Sequence, residues 1–130
     1  MESKYAFGKT VKSSYSETIQ RATDALAAEG FGVLTTIDVA ATLEKKLGKE
    51  TKPYMILGAC NPQFAHKALE AEPEIGTLLP CNVVVREQED GATRVDIMDP
   101  KAVLKLTERA DIAPIAAEVR QKLERVLAAI

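Results

Sequence analysis

The sequence has no tryptophan, one histidine, two cysteines and only 5% aromatic residues. Each shortage removes a class of function. Three Phe and three Tyr form no run of stacking surfaces of the kind that binds single-stranded nucleic acid. The net charge is −2 and the pI about 5.5, without the basic excess that marks a nucleic-acid binder. The one histidine, His66, falls beside Lys67 and Glu70 on the polar side of an expected helix, so no Ser-His-Asp set assembles around it. Two cysteines are too few for a disulfide scaffold, and Cys60 and Cys81 are not spaced as C-x-x-C. With a distant histidine they make a poor zinc set, which wants four ligands, so no metal is expected. No apolar run is long enough to span a membrane. Met1-Glu2-Ser3-Lys4 lacks the apolar core of a signal peptide. These features place the chain in the cytoplasm, with both thiols reduced. Gly8-Lys9-Thr10 ends like a phosphate loop but lacks the upstream glycine and lies in an expected strand.

What is present is ordinary for a globular protein: 46% hydrophobic and 28% charged residues, of a length for one domain over residues 1–130. The chain is organised around Tyr54-Met55-Ile56-Leu57-Gly58-Ala59-Cys60-Asn61-Pro62. Its apolar run fits a strand buried on both faces, or a buried helical segment. It stops at a helix start, because Asn61 is a preferred N-cap and Pro62 suits the first helical position. The helix runs to about Glu72, and Pro73 ends it. The Cys60 thiol then stands just ahead of a helix N-terminus, where the dipole can lower its pKa. Against this stands the tendency of free cysteine to be a small buried apolar residue.

Before this stretch, Tyr5–Val11 alternates as a first strand. Ser14-Tyr15-Ser16-Glu17 is a capping box, opening a helix that buries Ile19, Ala22 and Leu26 and stops at Gly30. Phe31–Ile37 is a second strand rich in β-branched residues. Asp38 caps a short helix, Val39–Leu47, whose buried stripe is expected to be Val39, Leu43 and Leu47. After the central helix, residues 72–80 hold two prolines and a glycine and cannot form a long helix. Ile75, Leu78 and Leu79 should still fold onto something. Cys81–Glu87 and Thr93–Met98 form a hairpin about Glu89-Asp90-Gly91. A three-residue loop, with Gly91 in the left-handed region, sets Val85 against Val95 and Val83 against Ile97. Cys81 then shares the apolar face. Asp99-Pro100 opens a short turn, and a last helix from about Asp111 to Ile130 carries a clear 3.6-residue stripe from Ile112 to Leu127. Its other face mixes Glu118, Arg120, Gln121 and Glu124. The fold class is α+β: two layers, a mostly antiparallel sheet with helices packed on one face.

Leu57-Gly58-Ala59-Cys60-Asn61-Pro62, Glu72-Pro73-Glu74-Ile75-Gly76 and Leu79-Pro80-Cys81-Asn82-Val83-Val84-Val85 resemble the bacterial and archaeal family known as domain of unknown function 302. The resemblance extends over nearly the whole chain and includes Asp99-Pro100 and the last helix. It implies a TATA-binding-protein-like α+β fold and a homodimer, and it carries no activity, cofactor or catalytic residue. That likeness is one of fold and implies no DNA binding.

Three functions compete. The first is a homodimeric ligand-binding or interaction module, with an interface at Ile75–Leu79 or the last helix and a small-molecule ligand of unknown identity. The second is a thiol site, redox or metal, built from Cys60 and Cys81 with Asn61 and Asn82. The third is an acid–base enzyme using some pair among Glu72, Glu74, Glu87, Asp96 and Asp99, although no spacing singles one out. The first is favoured. The candidate site residues are Cys60, Asn61, Cys81 and Asn82.

Overall fold

A computed structural model describes residues 3–130. Strands β1 (Ala6–Val11), β2 (Gly32–Asp38), β3 (Tyr54–Cys60), β4 (Cys81–Glu87) and β5 (Thr93–Met98) alternate with helices α1 (Tyr15–Ala28), α2 (Val39–Leu47), α3 (Pro62–Ala71), α4 (Pro100–Leu104) and α5 (Ala113–Ala129). Short 3₁₀ turns occupy Pro73–Leu78 and Lys105–Thr107. The five strands form one antiparallel sheet in the order β1-β5-β4-β3-β2. No helix among the described residues is long and apolar enough to cross a membrane.

Alternation decides the core. Phe7, Leu57, Ala59, Cys81, Val83, Val85, Val95 and Ile97 point to one face and are buried. They meet Ala22, Ala25 and Leu26 of α1 and Val119, Leu123 and Val126 of α5. A smaller apolar cluster joins Ala68, Ile75, Leu104, Ile112 and Ala116. The hairpin has the expected register, with Val83 opposite Ile97 and Val85 opposite Val95. Gly91, at φ 88°, supplies the left-handed residue of its turn. Ser14 Oγ caps α1 by accepting from the Glu17 N–H at 3.1 Å.

One side chain clamps the two layers. The Arg120 guanidinium lies 3.9 Å from the Phe7 ring centroid. Its Nη1 donates to Asp99 Oδ2 at 2.6 Å and its Nε to Glu124 Oε1 at 2.8 Å. The other Asp99 oxygen accepts the Lys101 N–H at 2.9 Å, capping α4. Arg120 therefore ties α5 to β1 and to the turn after β5.

Four expectations are corrected. The central strand is buried over Leu57, Gly58 and Ala59 only; Tyr54 and Ile56 are half-buried because they lie on the uncovered face of the sheet, and Met55, opposite Val85, lies at the margin of the core. Asn61 is the N-cap of α3 but makes no side-chain capping bond. Ile75 and the α5 stripe are covered by the chain's own clusters and are not free to form an interface. The largest departure is α2. Asp38 Oδ1 caps it through the Ala41 N–H at 2.9 Å, and Gly48 ends it in the left-handed region. Yet Val39, Leu43 and Leu47 form no buried stripe: α2 has no buried residue, and Leu47 is 64% exposed.

Candidate functional site

The end of β3 and the start of α3 bring Cys60 and Asn61 to a small cavity. Ala59 of β3 pairs with Cys81 of β4, so Cys81 lies one step diagonally from Cys60. Phe31, Phe64 and Val119 close the space around them, leaving about 40 Å³. A small-molecule site normally encloses about 300–1,000 Å³, so this one is a packing gap beside two thiols. Adjacent strand residues point to opposite faces. Cys81 therefore faces the core with Ala59, and Cys60, the last residue of β3, borders the same gap from the strand end. Both are free thiols. Burial raises the Cys60 pKa. Burial first, and then the charge of a Cys60 thiolate, push Cys81 from 9.0 up to about 12. Burial thus moves the Cys60 thiol the opposite way from the lowered pKa expected at the head of α3. Among the described residues no group of three or more His, Cys, Asp or Glu side chains gathers as a metal site.

The fourth sequence candidate lies elsewhere. Asn82 follows Cys81 in β4, points to the opposite face of the sheet and is exposed. There it lines a depression of about 600 Å³ with Tyr5, Tyr54, Arg86, Arg94 and Asp96. The structure thus gathers Cys60, Asn61 and Cys81 and separates Asn82 from them.

The open face is ordered in rows across the strands. Tyr54, Arg86, Arg94 and Thr10 form one row. Ile37, Ile56, Val84, Asp96 and Gly8 form the next. The Arg94 Nε donates to Asp96 Oδ1 at 3.0 Å. Arg86 Nε lies 3.9 Å from Asp96 Oδ2, beyond hydrogen-bond range. A Cβ at Gly8 would overlap the Asp96 carboxylate and the Val95 carbonyl, so this glycine leaves the space that Asp96 occupies. The arginine row went unread in the sequence, although the signal was there: the register that pairs Val85 with Val95 also pairs Arg86 with Arg94.

The carboxylates considered for acid–base work are dispersed. Asp96 lies between two arginines, and Asp99 caps α4 and holds Arg120. His66 is an exposed partner of Glu70, 2.9 Å away.

Comparison with known proteins places this arrangement. Residues 7–130 match the family described as domain of unknown function DUF302. An uncharacterized protein of Aquifex aeolicus (strain VF5) is 35% identical over 69 residues, which are 52% of this chain. The match spans about half of that relative's length, 47%. The crystal structure of an uncharacterized conserved DUF302 protein from Bacillus stearothermophilus superposes with a TM-score of 0.89 at 30% identity, over 96% of this chain and 97% of that one. With the family match running over residues 7–130 and the superposition over nearly the whole of both chains, this chain is a member of the DUF302 family.

Proposed function

We propose that the protein is a non-catalytic binding module that works as a homodimer, with β2 and α2 as its interface. One observation carries this reading. From Gly32 to Ile56 the chain forms a strand, a helix and half of another strand, yet none of these residues is buried. A nine-residue helix such as α2 is too short to persist in water on its own, where about 12–15 residues is already marginal. Its caps order the ends but supply no apolar burial. Leu34 is 70% and Ile37 47% exposed on β2, an edge strand with one free row of backbone donors and acceptors. An uncovered apolar edge strand is a pairing surface.

A second copy of the chain is the occupant that fits. An antiparallel edge can pair with itself about a two-fold axis, which gives the self-complementary contact of a symmetric dimer. The charges on α2 and its flank are of both signs, with Glu44 and Glu50 among Lys45, Lys46, Lys49 and Lys52, so each copy offers acids to the other's bases. Residues 32–53 contain no buried residue, and a standard interface uses about 20–30 residues a side. The two free thiols agree with a reducing cytoplasm.

Light scattering on the full chain tests the proposal. The expected mass is twice the 14.1 kDa of one chain. Leu34→Glu and Ile37→Glu should each give monomer, while Leu106→Glu, at a site 74% exposed away from this arm, should leave the dimer intact. Wild-type monomer at high concentration, or dimers that survive both interface substitutions, would overturn the reading.

A further inference from the structure

The open face of the sheet carries a pair of arginines whose placement needs a third group. Arg86 and Arg94 stand directly opposite each other on β4 and β5. Like charges in that position repel and weaken the sheet. One carboxylate, Asp96, is shared between them, and it accepts a hydrogen bond only from Arg94. The row therefore keeps one positive charge in excess. Among the described residues, neither guanidinium donates from its terminal nitrogens, so both retain the paired N–H fork that matches an oxyanion edge. The side chains are 38% and 22% exposed, partly shielded from water yet reachable.

The surroundings define the rest of the ligand. The depression over the arginines is about 600 Å³, within the range of small-molecule sites. Val84 and Met98 form its apolar floor, Tyr54 adjoins Arg86 in the same row, and Asn82 and Gln88 offer neutral polar edges. Gly8 leaves room for Asp96 beneath, and Asp96 orients Arg94 by its hydrogen bond before any ligand arrives.

We infer that this face binds a small organic anion, whose phosphate or carboxylate group bridges Arg86 and Arg94 while its less polar part lies over Val84 and Met98. Both arginines lie on strands away from the β2 edge, so the site is independent of the dimer contact. Failure of either idea leaves the other standing.

The test is calorimetric titration of the full chain with phenyl phosphate and with benzoate, at constant ionic strength set by chloride. The two probes distinguish a phosphate from a carboxylate preference. The expected result is saturable binding of at least one probe, one per chain, weakened about tenfold or more in Arg86→Gln and in Arg94→Gln; loss of one charge-assisted hydrogen bond is of that order. Arg86→Lys keeps the charge but loses the fork, and should also bind more weakly. Arg86→Gln removes a repulsion and breaks no hydrogen bond, so its melting temperature should not fall below wild type. Lys101→Gln with Lys105→Gln, both exposed and outside either proposed surface, should leave binding unchanged. No saturable binding of either probe, undiminished binding in Arg86→Gln, or equal loss in the lysine variant would each overturn the proposal.

Discussion

Replacing Arg120 by alanine should destabilise the protein by far more than its place on the polar face of α5 suggests. Three contributions are lost. The cation–π contact with Phe7 is worth about 0.5–2 kcal/mol, depending on how dry it is. The charge-assisted bond to Asp99 would reach about 1.5–3 kcal/mol if desolvated, but both partners are partly exposed, so screening brings it nearer ~1 kcal/mol. The contact with the exposed Glu124 adds about 0.3–0.5 kcal/mol. The expected loss is about 2–3 kcal/mol. Unfolding entropy near 60 °C is about 2.1 cal/mol/K per residue, so for 130 residues the melting temperature should fall by roughly 7–11 °C. A dimer of the kind proposed would make melting concentration-dependent, so variants are compared at one chain concentration. Denaturant unfolding with the double-mutant cycle Arg120→Ala, Asp99→Ala should show positive coupling of about 1 kcal/mol between the pair. A loss under about 0.5 kcal/mol, the usual range of an ordinary surface substitution, would refute the clamp.

The buried thiol gives a pH signature. Cys81 holds its proton to about pH 12 in the folded chain, against an ordinary value of 9.0. Between these values the unfolded chain releases the proton and the folded one keeps it. Rising pH therefore favours unfolding there, by up to about 1.4 kcal/mol per pH unit from this group, and the stability it contributes is intact below about pH 9. Urea midpoints from pH 7 to 11 should decline less steeply in Cys81→Val; equal slopes would sink the idea. At pH 8 iodoacetamide should label Cys60 slowly and Cys81 only on unfolding, and rapid modification of Cys81 would contradict its burial. Gly8→Ala should destabilise by about 1–3 kcal/mol as an overpacking change, because its new methyl meets backbone as well as the Asp96 carboxylate; a neutral result by thermal unfolding would mean that the β1 edge simply gives way.

Much of the fold was legible because it is written locally. The Cys81–Met98 hairpin follows from a two-residue period and one glycine, which together select a single register. The α1 cap and the α5 stripe follow from a handful of side chains each. The stripe on α2 misled for a physical reason. Periodicity reports that a helix has an apolar side, and cannot report whether the same chain supplies something to cover it. Strand order was also out of reach, since pairing β1 with β5 depends on contacts far apart in sequence. The candidate site was half legible. Cys60, Asn61 and Cys81 converge because a tight strand-to-helix turn and a cross-strand pair bring them together. Asn82 could have been set apart on strand alternation alone, because it immediately follows a core-facing cysteine. The same alternation would have set Arg86 and Arg94 together on the outer face.

The pairing of β1 with β5 has a consequence for how the chain is made. Val11 must wait for Thr93, its partner in the sheet, and a ribosome adds roughly 5–20 residues per second. For several seconds at least, β1 and the apolar side of α1 are outside without the strand and helix that cover them. The strands β3, β4 and β5 are sequence neighbours and are free to form their meander meanwhile. Assembly should therefore start with β3, β4 and β5 and finish by docking β1 and α1, so that segments made well before their partners are among the last to become native.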